Sequence, residues 1–295
     1  MHSTGRIEDR VFGLSDRLPP LPIVTRESTE YDLLSVSVDG AEVAYAQQGR
    51  VALPPLVMLH GWAASHKFWK YCFSAFSPRW RVVAPDMVGF GISEKPDRDY
   101  TVEGLARWFG RFLDAMKLDR ISLVAHSIGG TIGLLYAIDH PERIERLVVS
   151  NPLIVGKTAF TTRTKLCMAP LIRRVLYSLS KVGPIRRWVA KDFTLIVRLD
   201  DDLSLDVTRG TYRSEFDLLL SAKQTDLRGK LSSLSVPTLS IGTEKDLLIA
   251  PDQYALVPAQ KTVCIPDTGH IPMIERPETF NRILNEFLAG TSTHG

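Results

Sequence analysis

Ser127 is the residue placed to do chemistry. The stretch Leu123-Val124-Ala125-His126-Ser127-Ile128-Gly129-Gly130 leads from an apolar strand, Ile121 to Ala125, into a helix from about Ile128 to about Asp139. One serine sits on the short turn between them. Small residues flank it, as they must where neighbouring backbone passes close. Such a turn lifts a hydroxyl out at the carboxyl edge of a sheet, with a helix N-terminus directly behind it. The pattern is the nucleophile elbow G-x-S-x-G, with Ala125 standing at the first glycine.

A serine hydroxyl is a poor nucleophile until a base takes its proton, and the base is usually a histidine held by a carboxylate. Of the seven histidines, His270 stands out, in Pro266-Asp267-Thr268-Gly269-His270-Ile271-Pro272. That loop follows the last strand and precedes the last helix, which puts it at the sheet edge that carries the elbow. His60 precedes a turn glycine at a strand end and is read as bonding loop backbone. His126 is expected to point elsewhere because of the turn, and His66 and His140 to be surface or helix-end residues. The acid should follow the strand before the histidine loop, in Gly242-Thr243-Glu244-Lys245-Asp246. Asp246 is the choice and Glu244 the competitor. An oxyanion needs two preorganised backbone N–H donors. The elbow offers that of Ile128 at the helix start, and the loop after His60-Gly61 offers that of Trp62.

These residues need a sheet to hold them. Leu33 to Val38 and Glu42 to Gln47 flank Asp39-Gly40, a hairpin signal. Further strands are read at Leu56 to His60, Arg81 to Ala84, Ile121 to Ala125, Arg146 to Ser150, Val236 to Gly242 and Thr262 to Ile265. Helices are read at about Lys67 to Phe76, Thr101 to Lys117, Ile128 to Asp139 and Pro277 to Leu288, with a glycine-rich turn from Asp86 to Ser93. Continuous apolar strands alternating with helices indicate a mostly parallel sheet covered on both faces, an α/β class. The alternation breaks at Asn151-Pro152, no buried strand is read from there to about Thr225, and the sheet pattern resumes at Val236. The domain reading is an N-terminal extension over 1–30, a core over 31–151 and 226–295, and an inserted helical lobe over 152–225.

The chain resembles the α/β-hydrolase superfamily, of the capped type that includes carboxylesterases, perhydrolases and C–C hydrolases. The resemblance covers about residues 31–150 and 226–290. It rests on His60-Gly61, the Asp86 to Ser93 turn, the elbow, the Gly269-His270 loop with Glu275 and Pro277, and the chain order Ser127, Asp246, His270. It implies a central sheet with helices on both faces and a helical cap. It also implies a cofactor-free serine hydrolase that cleaves carboxylic esters through an acyl-enzyme. Relatives with dehalogenase or epoxide hydrolase activity carry aspartate at the elbow, where Ser127 stands here. Relatives that cleave C–C bonds often have extra glycines after His-Gly, where Trp62 and Ala63 follow here. Some relatives place the acid after the strand that here ends at Ser150, but Asn151 and Pro152 come next. A C–C bond hydrolase, a lactonase with the same triad, or a small-molecule receptor on the same fold are the other readings.

The lobe is basic. Residues 152–215 hold twelve Lys and Arg against six Asp and Glu, an excess of six over a whole chain of net charge +3. Leu166, Met168, Leu171, Ile172, Val175, Leu176 and Leu179 make Lys165 to Lys181 amphipathic, bent near Pro170. The expectation is that Leu171, Ile172, Val175 and Leu179 pack toward the pocket mouth and select an apolar acyl group. Peripheral contact with an anionic membrane through the basic cap is a separate reading. Elsewhere composition is ordinary for a globular enzyme, with 44% hydrophobic and 23% charged residues. The weak net charge gives no sign of a nucleic-acid partner. Cys72, Cys167 and Cys264 lie too far apart for a metal knuckle or disulfide framework and are read as buried thiols. No apolar run of about 18 residues could span a bilayer, and no signal peptide is evident, so a cytoplasmic protein is expected.

Overall fold

The computed structural model describes residues 31–162, 165, 170–180, 203 and 209–290. The described residues open with β1 (Asp32–Val38) and β2 (Ala41–Gln48), antiparallel, joined at Asp39-Gly40. Both turn residues have positive φ, 53° and 78°, as a two-residue hairpin of matching twist requires. Then follow β3 (Pro55–Leu59), α1 (Lys70–Phe76), β4 (Arg81–Pro85), α2 (Val102–Ala115), β5 (Ile121–His126), α3 (Ile128–Asp139) and β6 (Ile144–Ser150). After β6 come α4 (Gly156–Ala159), α5 (Pro170–Ser180) and α6 (Tyr212–Gln224). The chain returns to the sheet through β7 (Thr238–Thr243) and β8 (Lys261–Ile265), then ends with α7 (Pro272–Glu275) and α8 (Pro277–Ala289).

The eight strands form one sheet in the order β1-β2-β4-β3-β5-β6-β7-β8. From β4 to β8 every neighbouring pair is parallel, and only β1 and β2 run antiparallel to their partners. Because side chains alternate along a strand, the central strands feed two cores. Val57, Leu59, Leu123, Ala125, Leu147 and Val149 meet α2 and α3 on one face. Leu56, Met58, Val124, Val148, Leu239 and Ile241 meet α1 and α8 on the other. Helix α2 starts where Thr101 Oγ1 accepts from the Gly104 N–H at 3.0 Å, and it buries Leu105, Trp108, Phe109, Phe112 and Leu113. Each such side chain contributes about 1.5–3 kcal/mol relative to exposure. The first part of the helix read from Lys67 is a 3₁₀ turn, His66–Trp69.

Among the described residues, three helices, α4 to α6, lie between β6 and β7, where the sequence pattern breaks. The neck of this insertion is closed by a bridge between Val155 and Asp226 and by the Gly156 N–H on the Thr225 carbonyl at 2.8 Å. A second bridge, Phe160 to Ile249, fastens it to the loop after β7. Two expectations fail here. Ile172 and Val175 of α5 are exposed, not packed on a pocket mouth, because the helix presents Tyr177 inward instead. Cys264 is exposed on the edge strand β8, whereas Cys72 is buried. Cys167, the N-terminal extension and Leu166 and Met168 fall outside the described residues.

Candidate active site

Ser127 occupies the turn between β5 and α3 with φ 55° and ψ −127°, a backbone region costly for any side chain. Strain of this kind costs about 1–3 kcal/mol and persists only where surroundings enforce it. The enforcing contacts are visible. The Ser127 N–H donates to the Ser150 carbonyl at 2.8 Å. A methyl at Gly129 would lie 2.2 Å from the His60 carbonyl oxygen, and one at Gly61 would lie 3.0 Å from Ser127 Cβ. The loop after β3 therefore presses directly on the elbow, and only glycines permit it. Ala125, at the position of the first motif glycine, is accommodated because Gly133 of α3 faces it. A methyl on Gly133 would approach Ala125 Cβ to 3.1 Å.

Three loops at the carboxyl edge of the sheet bring Ser127, Asp246 and His270 together. Ser127 Oγ lies 3.0 Å from His270 Nε2, and His270 Nδ1 lies 2.7 Å from Asp246 Oδ2. All three are buried, Ser127 at 6%, His270 at 7% and Asp246 at 8% exposure. Asp246 Oδ1 accepts from the N–H groups of Leu248 at 2.8 Å and Ile249 at 3.0 Å. Burial alone would push the Asp246 carboxyl up. The charge and hydrogen bond of His270, with those two N–H groups, more than offset it, so the carboxyl sits below its ordinary value. Glu244, the competing acid, is directed away: its Oε2 accepts from the Asp267 N–H at 2.9 Å at the surface.

Three residues support these side chains through contacts that the sequence did not signal. Asn151, the first residue after β6, has φ 48° and donates from Nδ2 to both Asp246 Oδ2 at 2.8 Å and Thr243 Oγ1 at 2.6 Å. In the sequence it marks only where the strand pattern ends. His126 does not point away from the site as expected. Its Nε2 is 2.8 Å from the His270 carbonyl oxygen, and the two rings are 4.7 Å apart. Full burial, with the neighbouring charge of His270, pushes its pKa down to about 3, so it stays neutral and its Nε2–H donates. Glu275 holds the same loop from the other side, accepting from the N–H of Gly269 at 2.7 Å and of Ile271 at 3.0 Å.

His60 bonds loop backbone, as the sequence implies: Nε2 accepts from the Met87 N–H at 2.9 Å while Nδ1 lies 2.7 Å from the Gly61 carbonyl. Ile128 follows Ser127 at the first position of α3, and Trp62 follows Gly61, whose backbone packs against Ser127. The Trp62 indole donates from Nε1 to the Glu215 carbonyl of α6 at 2.7 Å, which ties this loop to the insertion. His66 stands at a helix end, as one of the two expectations has it, at the start of the 3₁₀ turn His66–Trp69, but not at the surface. It is buried, and its backbone N–H and Nδ1 reach Asp86 Oδ1 at 2.7 and 2.8 Å, whereas His140 lies exposed at the end of α3. Nothing local in the sequence signals the His66–Asp86 pair, because its partners belong to different loops.

The family description "alpha/beta hydrolase fold" matches residues 54–172. The chain is 24% identical over 263 residues to a protein of Bacillus subtilis named as a putative 2-succinyl-6-hydroxy-2,4-cyclohexadiene-1-carboxylate synthase, covering 85% of this chain and 96% of that one. It is 27% identical over 274 residues to a 2-hydroxy-6-oxo-6-(2'-aminophenyl)hexa-2,4-dienoic acid hydrolase of Metapseudomonas resinovorans, covering 86% and 90%. Among solved structures it is similar to a membrane phospholipase A described as a bacterial virulence factor, with TM-score 0.75 and 25% identity over 89% of this chain and 87% of that one. The eight-stranded sheet, the family match and these relatives agree: the chain is a protein of the α/β-hydrolase fold, with hydrolases among its relatives.

Proposed function

We propose that this protein is a serine hydrolase that cleaves small-molecule carboxylic esters with an apolar acyl group. The observation that carries the reading is the relay Ser127 Oγ–His270 Nε2–Asp246 at 3.0 and 2.7 Å. In the proposed cycle the Ser127 O–H proton passes to His270 Nε2 as Oγ attacks the ester carbonyl carbon. The carbonyl electrons move onto oxygen, and the N–H groups of Trp62 and Ile128 receive that oxyanion, reinforced by the positive end of α3. Collapse breaks the C–O bond, and His270 returns its proton to the leaving alcohol. Water then repeats the sequence on the acyl-enzyme, His270 acting first as base and then as acid, which frees the carboxylic acid and Ser127. Asp246 remains ionised throughout and holds His270 with Nδ1 protonated.

Labelling with a fluorophosphonate and turnover of p-nitrophenyl esters test this reading. One adduct on Ser127 is expected, with turnover in Ser127→Ala lowered by about 10³-fold or more while the fold is retained. A variant that keeps most of its activity ends the proposal. In a chain-length series, each methylene buried with the acyl group adds up to about 0.8 kcal/mol of binding, so activity should rise from acetate toward medium chains. Strict preference for acetate removes the apolar acyl group from the reading. The 27% identity to a dienoic acid hydrolase favours a second reading, C–C bond cleavage by the same residues. Consumption of a 2-hydroxy-6-oxo-dienoate with no ester turnover would select it.

A further inference from the structure

Helix α5 turns an apolar row outward. Tyr177 anchors the helix, its ring 5.3 Å from Tyr212 and 6.1 Å from Phe216 of α6. At 100° per residue, Val175, Leu179 and Ile172 then share the side away from that anchor. Ile172 is 37% exposed, Val175 49%, and Leu179 is half-buried. Arg174 and Ser178 are exposed on the adjoining strip. A surface helix ordinarily buries its apolar stripe and hydrates the rest.

We propose that this face of α5 docks on the surface of an anionic phospholipid bilayer. Charge supports that occupant. From residue 152 to 191 the sequence carries nine Lys or Arg and no Asp or Glu. Of these, Lys157, Lys165 and Arg174 are exposed in the described structure. An interfacial helix combines this composition with an apolar row that enters the boundary between headgroups and acyl chains. Basic side chains contribute a salt-sensitive attraction, about fivefold in affinity for each one near an anionic surface. The apolar row contributes a part that salt does not screen. A second copy of the chain fits less well, because two such faces would oppose like charge. The docking is separate from ester hydrolysis: it involves neither Ser127 nor the residues around it.

Sedimentation of the full chain with vesicles tests it, using phosphatidylcholine alone against phosphatidylcholine mixed with phosphatidylglycerol. The expected result is binding to the mixed vesicles at low salt, weaker at high salt, and little binding to phosphatidylcholine alone. Arg174→Glu should lower affinity by about tenfold at low salt, since it removes one attraction and adds a repulsion. The double variant Ile172→Ser with Val175→Ser should lower affinity at both salt concentrations. Circular dichroism and turnover of a soluble p-nitrophenyl ester check that both variants remain folded. Repeating the binding with Ser127→Ala separates docking from catalysis, and unchanged binding is expected. Failure to bind the mixed vesicles at low salt overturns the proposal. So does equal binding to neutral vesicles, or binding that neither variant alters. Self-association abolished by the double variant, without vesicle binding, would assign the face to a second copy instead.

Discussion

At the scale of single residues the proposed relay depends on which carboxylate faces His270. Sequence order reduced the acid to two residues in one loop, and Ser127 and His270 were legible because each sits in a motif whose local geometry follows from its neighbours. Asn151 was not legible. Its contact with Asp246 joins residues 95 apart, and nothing in Asn151-Pro152 signals a side chain turned toward the loop after β7. The structure makes a sharp contrast available. Asp246→Asn should reduce kcat by about 10⁴-fold, since an amide at Oδ2 favours the imidazole tautomer that cannot accept the serine proton. Glu244→Gln should change kcat by less than about threefold, because its oxygen supports only the exposed Asp267 N–H. Measured kcat values for the two variants decide it, and a larger loss in the Glu244 variant would reverse the assignment.

At the scale of elements, the elbow is a contact between β5–α3 and the loop after β3. The strand–helix alternation was readable from apolar runs and turn residues, and so was the place where it breaks. Sequence could not measure how closely the two loops approach. Gly129 shows that distance: its missing side chain leaves room for the His60 carbonyl, 2.2 Å from where a methyl would be. Gly129→Ala should therefore push the His60–Trp62 loop off the elbow and displace one proposed oxyanion donor. Loss of one such donor costs about 10²–10³ in kcat, and overpacking costs about 1–3 kcal/mol in stability. Gly229 is the matched comparison, with no atom within 4 Å of the place a methyl would take and no positive φ. Gly229→Ala should leave kcat unchanged and stabilise by up to about 1 kcal/mol. Ester kinetics and thermal melts of both variants test this, and a fully active Gly129→Ala would detach that loop from the oxyanion role.

At the scale of the whole molecule, buried polar groups lock the loops around the proposed site to one another, and this was the least legible layer. Sequence showed His66 and Asp86 as separate loop residues, since burial and partner depend on two strand ends meeting. In the structure Asp86, at the end of β4, is fully buried and gathers three donors: the His66 N–H, His66 Nδ1, and the Ile92 N–H at 2.8 Å. Its backbone carbonyl accepts from Ser93 Oγ at 2.7 Å, whose oxygen in turn accepts from the Ala44 N–H. Asp86 thereby joins the loop after β3 and the glycine-rich turn through its carboxylate, and β2 through its backbone. Burial pushes the Asp86 carboxyl up, but the hydrogen bonds and charge of His66, helped by His60, pull it below its ordinary value. A folded-state pKa below the unfolded value of 3.8 means the folded state holds the proton less well than the unfolded one. The stabilisation is therefore complete above about pH 4 and is lost as pH falls through the folded value. Asp86→Asn should cost about 3–5 kcal/mol at pH 7, the usual penalty for breaking a buried pair. Below about pH 4 the gap between wild type and variant should narrow by up to about 1.4 kcal/mol per pH unit, the contribution of one proton. Urea denaturation across this range measures it directly. A gap that stays constant into strong acid would show that Asp86 is not the carboxylate whose ionisation holds these loops together.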